Sequence, residues 1–549
     1  MAESAQSASA WSPFRHPVFR DLWIATVVSN VGTWMQNLGA AWLMTTISAS
    51  PVMVALVQSA TSFPMFLLAL PAGALADIID RRRLLLFTQA WMLAAAALLA
   101  ALTFLGATTP WVLLVLTFVL GLGAALNGPA WQAIVPELVP RRELSEAIAL
   151  NSAGFNLSRA AGPAAGGAVL AAAGAAVTFL VNAISFLGVM VVLFRWRRPP
   201  TESHLPAERM LSAMRSGLRY TRYAPALRAV LLRSAVFMVG SSAVWALLPL
   251  VARNELRWGP IGYGILLACF GAGAIVGATI LPRMRRRLSS EQLVAVGTLA
   301  FAAVNLAMAL LPVMAVLGPA LFIGGMAWLV MVSSFNVAVQ ISVPSWVRAR
   351  ALAVYTVAFA GGLSLGSAVW GAIAAHQGIS AALIYAAIFL ALSLLFILHH
   401  RLEIDEELDL TPSLHWSEPI LAIRPHLKRG PILVTVEYRI DPGHAEAFMH
   451  ALRSLGMIRR RDGAVGWGLF QDMAEPGRFL EAFVVETWAE HLRQHERMTR
   501  ADIAVEDRAR SFHLGAQPPV VSHFLYAYGK RVRKFKDHSR VPEDGEPGG

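Results

Sequence analysis

Long apolar runs separated by short polar breaks dominate the first 400 residues of this 549-residue chain. A helix of about 20 apolar residues is long enough to cross the hydrocarbon core of a bilayer. Because lipid offers no partners to backbone polar groups, such runs must fold as helices. We therefore predict an all-α polytopic membrane protein with about twelve transmembrane helices, at 19–46, 51–76, 84–106, 110–136, 144–172, 175–195, 227–252, 260–282, 291–312, 314–342, 350–375 and 380–399.

Basic residues fall mainly in every second break between these runs. The basic breaks include 81–83, 141–142, 195–233, 283–287 and 348–350, whereas the alternate breaks carry little charge. An excess of Arg and Lys marks cytoplasmic loops, so both termini are predicted to be cytoplasmic. The formal net charge of +12 then follows from topology and does not require nucleic acid as a partner. The single cysteine, Cys269, excludes internal disulfides.

The two halves of the apolar region resemble each other. Asn127, Gln132, Val135-Pro136 and Arg142 recur about 208 residues later as Asn336, Gln340, Val343-Pro344 and Arg350. Two repeats of six helices form the architecture with which secondary transporters alternate access to a central site. The predicted organisation is a cytoplasmic tail at 1–18, a six-helix bundle at 19–195, a basic linker at 196–226, a second six-helix bundle at 227–400, a linker at 401–430, an αβ domain at 431–527 and a disordered tail at 528–549.

One apolar run contains an arginine close to a glycine and proline cluster. Arg159 lies in the fifth predicted helix, followed by Gly162, Pro163, Gly166 and Gly167. A charge within a membrane segment is costly unless it faces a wet interior, and it is therefore a candidate for a functional site. The glycines permit close helix packing and the proline invites a bend. The alternative is that Arg159 belongs to a packing seam and pairs with helix carbonyls.

Polar side chains in other helices are candidates to line a central cavity with Arg159. Amides and indoles can bond polar substituents and stack on flat rings, but amides also bond membrane helices to one another. Each candidate therefore has two interpretations, contact with cargo or contact between helices. The predicted cavity residues are Asn30, Trp34, Asn37, Gln58, Asn127, Asn156, Arg159, Trp245, Asn336 and Gln340. Since no acidic residue is predicted near Arg159, an anionic or carbonyl-rich cargo is favoured.

The segment after the second helix resembles a family signature. Gly73, Asp77, Arg81 and Arg82 resemble the Gly, Asp and basic cluster in the loop motif of the major facilitator superfamily. The run from Gly162 to Gly167 is similar to the fifth-helix motif of exporters and antiporters in that superfamily. The resemblance implies that Gly73, Asp77, Arg81 and Arg82 form a cytoplasmic gate, whereas the alternative is ordinary topological charge.

A finer resemblance covers most of the chain. Phe19 to Trp23, Gly32 to Trp34, Pro129 to Val139 and Ala149 to Asn151 resemble the transmembrane secretion effector branch of the superfamily. The resemblance implies a bacterial inner-membrane exporter of a siderophore-like or drug-like small molecule, with no catalytic residues and no cofactor. It leaves proton coupling open, because Thr117 stands where relatives carry an arginine associated with that coupling.

The region after residue 430 has the pattern of a soluble domain. Alternating strands near 434–440, 466–472, 479–487 and 520–526, with helices after Asp441 and from Trp488 to about Phe512, predict a βαββαβ ferredoxin-like domain. It resembles the dimeric αβ-barrel group that includes antibiotic biosynthesis monooxygenases, which implies dimerisation. An alternative function follows: a membrane-anchored, cofactor-independent monooxygenase or an interaction protein. His491 and His495 have metal-ligand spacing, but their charged surroundings favour a solvated face, so no metal site is predicted.

Overall fold

The computed structural model describes residues 9–196, 210–399, 409–413, 415–416, 425–427 and 429–527. These residues divide into two compact units. The first contains the helices of the apolar region. The second contains 211–228, 340–351 and the described part of the chain after 403. The predicted disordered tail at 528–549 lies outside the described residues.

Long helices form the first unit. Five of them begin with a proline in the first turn, where the missing N–H has no helical partner to lose. The helices are α1 (Pro17–Ile47), α2 (Pro51–Ile78), α3 (Arg81–Phe104), α4 (Pro110–Leu138), α5 (Leu144–Arg195), α7 (Pro225–Leu250), α8 (Pro260–Arg285), α9 (Ser290–Leu310), α10 (Met314–Ile341), α11 (Arg348–Gln377) and α12 (Ile379–His399).

Nine helical segments in the described ranges are long and apolar enough to cross a membrane. The chain is therefore a mostly helical, multi-pass membrane protein. Helix α1 is outside this set, and its polar residues, which include Asn30, Gln36 and Asn37, lower its hydropathy. Helix α12 contributes a shorter apolar stretch, Ile379–Leu395.

Helix α5 covers two of the predicted spans without a connecting loop. Its dihedral angles leave the helical region at Gly174, where φ is 81° and ψ is 173°. A positive φ is readily adopted only by glycine, so this residue permits the change of direction between the predicted spans at 144–172 and 175–195. The helix continues through Pro163, where the sequence predicted a bend, and its non-helical dihedrals lie at Gly174 instead.

The second unit contains a small antiparallel sheet with helices. Helix α6 (Met210–Tyr223) occupies part of the predicted basic linker, whose residues 197–209 are outside the described ranges. The remaining elements are β1 (Ile432–Arg439), α13 (Ala445–Asp462), β2 (Ala464–Gln471), β3 (Arg478–Val485), α14 (Trp488–Arg497), α15 (Arg500–Arg510) and β4 (Val520–Leu525). The strand order is β2-β3-β1-β4.

The sheet confirms the alternation predicted for its first strand. Ile432, Val434, Val436 and Tyr438 are buried on one face of β1 and belong to one apolar cluster with side chains of α13. The structure also contains the helical region predicted from Trp488 to about Phe512. It is divided into α14 and α15 at Met498, because Thr499 caps α15 through a reciprocal hydrogen-bond pair with Asp502.

Candidate functional site

A cavity of about 860 Å³ lies among the helices of the first unit. It is lined by residues of α1 to α5 and by Leu329 and Val332 of α10. Its volume is in the range of sites that bind drug-sized ligands. The polar lining residues are Thr26, Ser29, Asn30, Thr33, Gln36, Asn37, Thr61, Gln89, Thr117, Asn127, Gln132, Asn151, Ser152, Asn156, Arg159 and Asn182.

Arg159 is the charged side chain of this lining. Only 8% of the residue is exposed, and its guanidinium carbon lies 5.4 Å from the ring centre of Phe270 and 5.9 Å from that of Trp328. Within the described ranges it forms no ion pair with a carboxylate, and its buried Nε has no hydrogen-bond partner. The two rings stabilise the cation through their π faces but do not neutralise it. Arg159 is thus available to an anionic group that enters the cavity.

Several cavity amides are occupied by contacts between helices. The Asn127 side-chain oxygen accepts hydrogen bonds from Thr88 Oγ1 at 3.1 Å and Gln89 Nε2 at 3.3 Å, which joins α4 to α3. The Asn182 amide donates to Gln36 Oε1, which joins α5 to α1. These groups support the helix-bonding interpretation, since a ligand would have to compete with partners already in place.

Other cavity amides have no such partner. The side chains of Asn30, Asn37, Gln132 and Asn151 make no hydrogen bond to any part of the chain that the structure describes. Each amide offers two donor hydrogens and an acceptor oxygen. Together with Arg159 they form the part of the lining whose hydrogen-bonding capacity remains available to a ligand.

The structure brings five of the ten predicted cavity residues together. Asn30, Asn37, Asn127, Asn156 and Arg159 line the cavity. The others, which are outside its lining, are Trp34, Gln58, Trp245, Asn336 and Gln340.

Two of the residues outside the lining have an evident packing role. Trp34 lies against Gly162, where an added Cβ would be 2.5 Å from the Trp34 Cβ. Trp245 packs edge-on against Phe270, with ring centres 4.8 Å apart, and therefore lies behind the rings that contact Arg159. Both indoles were predicted from residue type alone, which does not distinguish a lining ring from a packing ring.

The glycine cluster of α5 forms close contacts with two helices. Gly162 and Gly166 pack against α1, and a Cβ on Gly166 would lie 2.9 Å from Met35 Cα. Gly167 faces α8, where an added Cβ would lie 3.1 Å from Gly264 Cα. The Pro163 carbonyl oxygen would be 2.7 Å from a Cβ on Gly264. Small residues here allow the backbones to approach closely, as the sequence predicted.

The basic residues of the predicted gate bind neighbouring helices. Arg81 donates to Glu137 Oε1 at 2.8 Å and to the Ala133 carbonyl at 3.0 Å. Arg82 donates to the carbonyl oxygens of Leu193 and Phe194, at 2.8 and 2.7 Å, near the end of α5. Gly73 faces open space, and the side chain of Asp77 is outside the described atoms. Glu137 was not predicted as a gate residue, because its partner lies 56 positions earlier in sequence.

Three histidines of the second unit are in contact. The His491 Nε2 lies 2.9 Å from His523 Nε2 and 3.3 Å from His495 Nε2, and His491 is 1% exposed. The predicted solvated face is therefore wrong, because α14 turns His491 into the core. In the ranges that the structure describes, no group of three or more His, Cys, Asp or Glu side chains has the arrangement of a metal site. Burial, reinforced by the neighbouring imidazoles, lowers the pKa of His491 to about 3 and that of His495 to about 4.

These lowered pKa values predict a loss of stability on acidification. A histidine whose folded pKa lies below its unfolded value of 6.5 binds fewer protons when folded, so the stabilisation is complete above pH 6.5 and falls as the pH decreases towards 4. The free energy of unfolding should fall by up to about 1.4 kcal/mol per pH unit for each such histidine. Urea titrations of the full chain at pH 7.5 and 5.5 measure this change, with hydrogen exchange in β1 to β4 as the signal for unfolding. A His491→Asn variant should show a smaller fall, and equal stability at both pH values would contradict the expectation.

Comparison with known proteins supports transport as the function. The chain is 27% identical to the enterobactin exporter of Escherichia coli over 375 residues, which cover 66% of this chain and 86% of the exporter. It is 27% identical to the multidrug efflux pump Tap of Mycolicibacterium fortuitum, covering 67% of this chain and 91% of the pump. It is also 26% identical to the staphyloferrin A transporter of Staphylococcus aureus, covering 46% of this chain but only 64% of that transporter.

Solved transporter structures share the fold. A bacterial homologue of the lysosomal transporter Spinster superposes with a TM-score of 0.55 at 16% identity, covering 72% of this chain and 98% of the homologue. A bacterial homologue of the iron transporter ferroportin gives a TM-score of 0.55 at 15% identity, covering 70% of this chain and 98% of the homologue. The family and these relatives are transporters, not enzymes. The transmembrane secretion effector family model matches residues 8–531, so the chain belongs to this family of major facilitator transporters.

Proposed function

We propose that this chain exports an anionic, oxygen-rich small molecule of the siderophore-like or drug-like class by alternating access. The observation that carries the proposal is Arg159, a buried cation without a carboxylate partner in the described residues, in a cavity rich in amides. An anionic group would neutralise this charge, and the unbonded amides would bind neighbouring oxygens. Relatives named as exporters of enterobactin and of drugs support export as the direction.

Profiling of the culture medium tests this function and identifies the cargo. Cells that lack the gene should retain an anionic compound that wild-type cells release, and a plasmid copy of the full chain should restore its release. Identical media from the two strains, under conditions in which the chain is produced, would contradict export. The same assay with an ionophore tests whether export is coupled to protons.

The proposed architecture is twelve spans in two repeats of six. Its support is the dihedral break at Gly174, which divides α5 into two helices of spanning length, together with α1 and α12. We also propose that the C-terminal sheet and its helices form a ferredoxin-like domain. The antiparallel order β2-β3-β1-β4, with a helix after β1 and helices after β3, supports this assignment.

We propose that both termini are cytoplasmic in a bacterial inner membrane, because the basic breaks alternate with nearly neutral ones. Single cysteines in a Cys269→Ser background should react with an impermeant maleimide from outside intact cells at Ser48, Thr108 and Gly378. Cysteines at Arg82, Gly477 and Arg222, an exposed residue of α6, should react only after permeabilisation. External labelling at position 477 would contradict the orientation.

A cytoplasmic gate at Gly73, Asp77, Arg81 and Arg82 is also proposed. The two arginines already join α3 to α4 and α5, so their partners are candidates to change during transport. Asp77→Asn should slow turnover more than it weakens cargo binding, because it affects exchange between conformers and not the cavity. Parallel measurements of the transport rate and of Kd distinguish these effects. Weaker binding of the cargo with a normal transport rate would contradict the gate.

The C-terminal domain is proposed to dimerise through the outer face of its sheet. Large apolar side chains are exposed on this face, including Phe470, Val520 and Phe524, at 60%, 63% and 53%. Leu433 lies opposite Phe524 and Leu480 opposite Phe470, so these residues share one face. Exposed apolar patches of this kind favour association with another protein surface.

A further inference from the structure

Three separate segments of the chain meet around Trp346 in the second unit. They are helix α6, the turn at 342–347 between α10 and α11, and the C-terminal domain. Tyr220 of α6 packs edge-on against the Trp346 ring, with ring centres 5.7 Å apart. The Arg497 guanidinium of α14 lies 4.4 Å from the centre of the same ring. Trp346 therefore has α6 on one side and the C-terminal domain on another.

An ion-pair network joins α6 directly to the domain. Arg219 of α6 donates to Glu490 Oε1 at 3.1 Å, and Arg497 donates to the same oxygen at 2.5 Å. The side chains of Arg219, Glu490 and Arg497 are only 19%, 12% and 5% exposed. A second arginine of the domain, Arg461, lies 5.5 Å from the Tyr220 ring centre and pairs with Asp502 at 2.6 Å.

Helix α6 also contacts the start of α11. A Cβ on Gly217 would lie 2.9 Å from the Cβ of Arg350, so the missing side chain allows this approach. The position of α6 is thus determined from two directions, by the beginning of α11 and by the C-terminal domain.

Such a network is stable only while all of its members are in place. Charges that have left water need their partners, and removal of one partner leaves another charge buried without compensation. If α6 and the 342–347 turn moved apart, Glu490 would lose Arg219 and Trp346 would lose Tyr220. The contacts therefore favour one relative position of these two segments, which lead directly into α7 and α11.

We propose that the C-terminal domain is a conformational clamp: Glu490 and Arg497 hold Arg219 and Tyr220 of α6 against Trp346. The clamp favours the conformer described here over conformers in which α6 and the turn separate. A transporter exchanges between conformers, and contacts that form in only one conformer raise the population of that conformer. This inference does not depend on the identity of the cargo.

The test uses the full-length chain with a reporter in the cavity. Ser152, an exposed residue of the cavity lining, is replaced by cysteine in a Cys269→Ser background, and its rate of reaction with N-ethylmaleimide is measured. The clamp is weakened from two sides by Arg219→Gln and Trp346→Ala. Arg508→Gln is the matched control, since Arg508 is an exposed arginine of α15 outside the network. Hydrogen exchange in 215–223 reports whether α6 has been released.

We expect both clamp variants to lose exchange protection in α6 and to slow the labelling of Ser152→Cys roughly threefold or more, as the described conformer is depopulated. Arg219→Lys should restore much of the rate, because it retains the charge, and Arg508→Gln should match the parent protein. If α6 loses exchange protection but the labelling rate of Ser152→Cys is unchanged, the C-terminal domain only tethers α6, and the clamp is overturned. Unchanged α6 protection, or equal slowing by Arg508→Gln, would also overturn it.

Discussion

Replacement of Arg159 by glutamine is expected to reduce export per folded carrier about tenfold or more. A charge-assisted, bidentate contact with an anion contributes about 1.5–3 kcal/mol, and each 1.4 kcal/mol corresponds to about a tenfold change. Arg159→Lys keeps the charge but loses the planar fork, so its defect should be smaller. Export of the compound identified by medium profiling, divided by the amount of monodisperse carrier in detergent, measures both effects.

A second buried arginine provides the structural control. Arg233 is 3% exposed and pairs with Glu291 at 3.0 Å. Arg233→Gln breaks this ion pair and leaves a smaller amide at the buried position, so it should mainly reduce the amount of folded protein. If Arg159→Gln behaves in the same way, with normal export by the molecules that fold, Arg159 ties helices together and does not bind cargo.

The second large effect is expected from Gly271→Ala in α8. The added Cβ would lie 2.7 Å from Ala160 Cα and 2.9 Å from the Arg159 carbonyl oxygen, and neither backbone atom can rotate away. Overpacking of this kind costs about 1–3 kcal/mol and would push α8 from the segment of α5 that carries Arg159. We expect a lower Tm of the purified carrier and weaker cargo binding together.

Gly188→Ala in α5 is the matched control for Gly271→Ala. A Cβ on Gly188 would have ordinary contact, 3.9 Å from Ala25 Cβ. Since alanine also favours a helix by roughly 1 kcal/mol over glycine, this variant should be neutral or slightly more stable. An unchanged Tm in Gly271→Ala would mean that α5 and α8 do not require their close approach.

The membrane fold could be predicted from sequence because each helix is specified by its own residues. Apolar length and flanking charge placed α2, α3 and α4 within a few residues of their observed bounds. The position of Arg159 in the cavity was likewise predicted from the cost of an isolated charge in an apolar helix. These features depend on local composition and not on which helices are neighbours.

Contacts between distant segments could not be predicted in this way. The helical spacing of Thr26, Asn30, Thr33 and Asn37 indicates one polar face of α1, and this pattern could have identified more of the lining. No local pattern distinguishes Asn127, whose oxygen is bonded to α3, from Asn30, whose amide is unbonded in the described part of the chain. The role of such an amide depends on its neighbour in space.

The measurement that tests the central claim most directly is binding of the cargo and of its neutral ester or amide analogue to purified carrier. Wild-type protein should prefer the anion by about tenfold or more, since Arg159 supplies a charge-assisted contact that the analogue cannot use. In Arg159→Gln this preference should disappear, with similar Kd values for the two ligands. The same preference for the anion in both proteins would contradict the account, because the anion would then be recognised without Arg159.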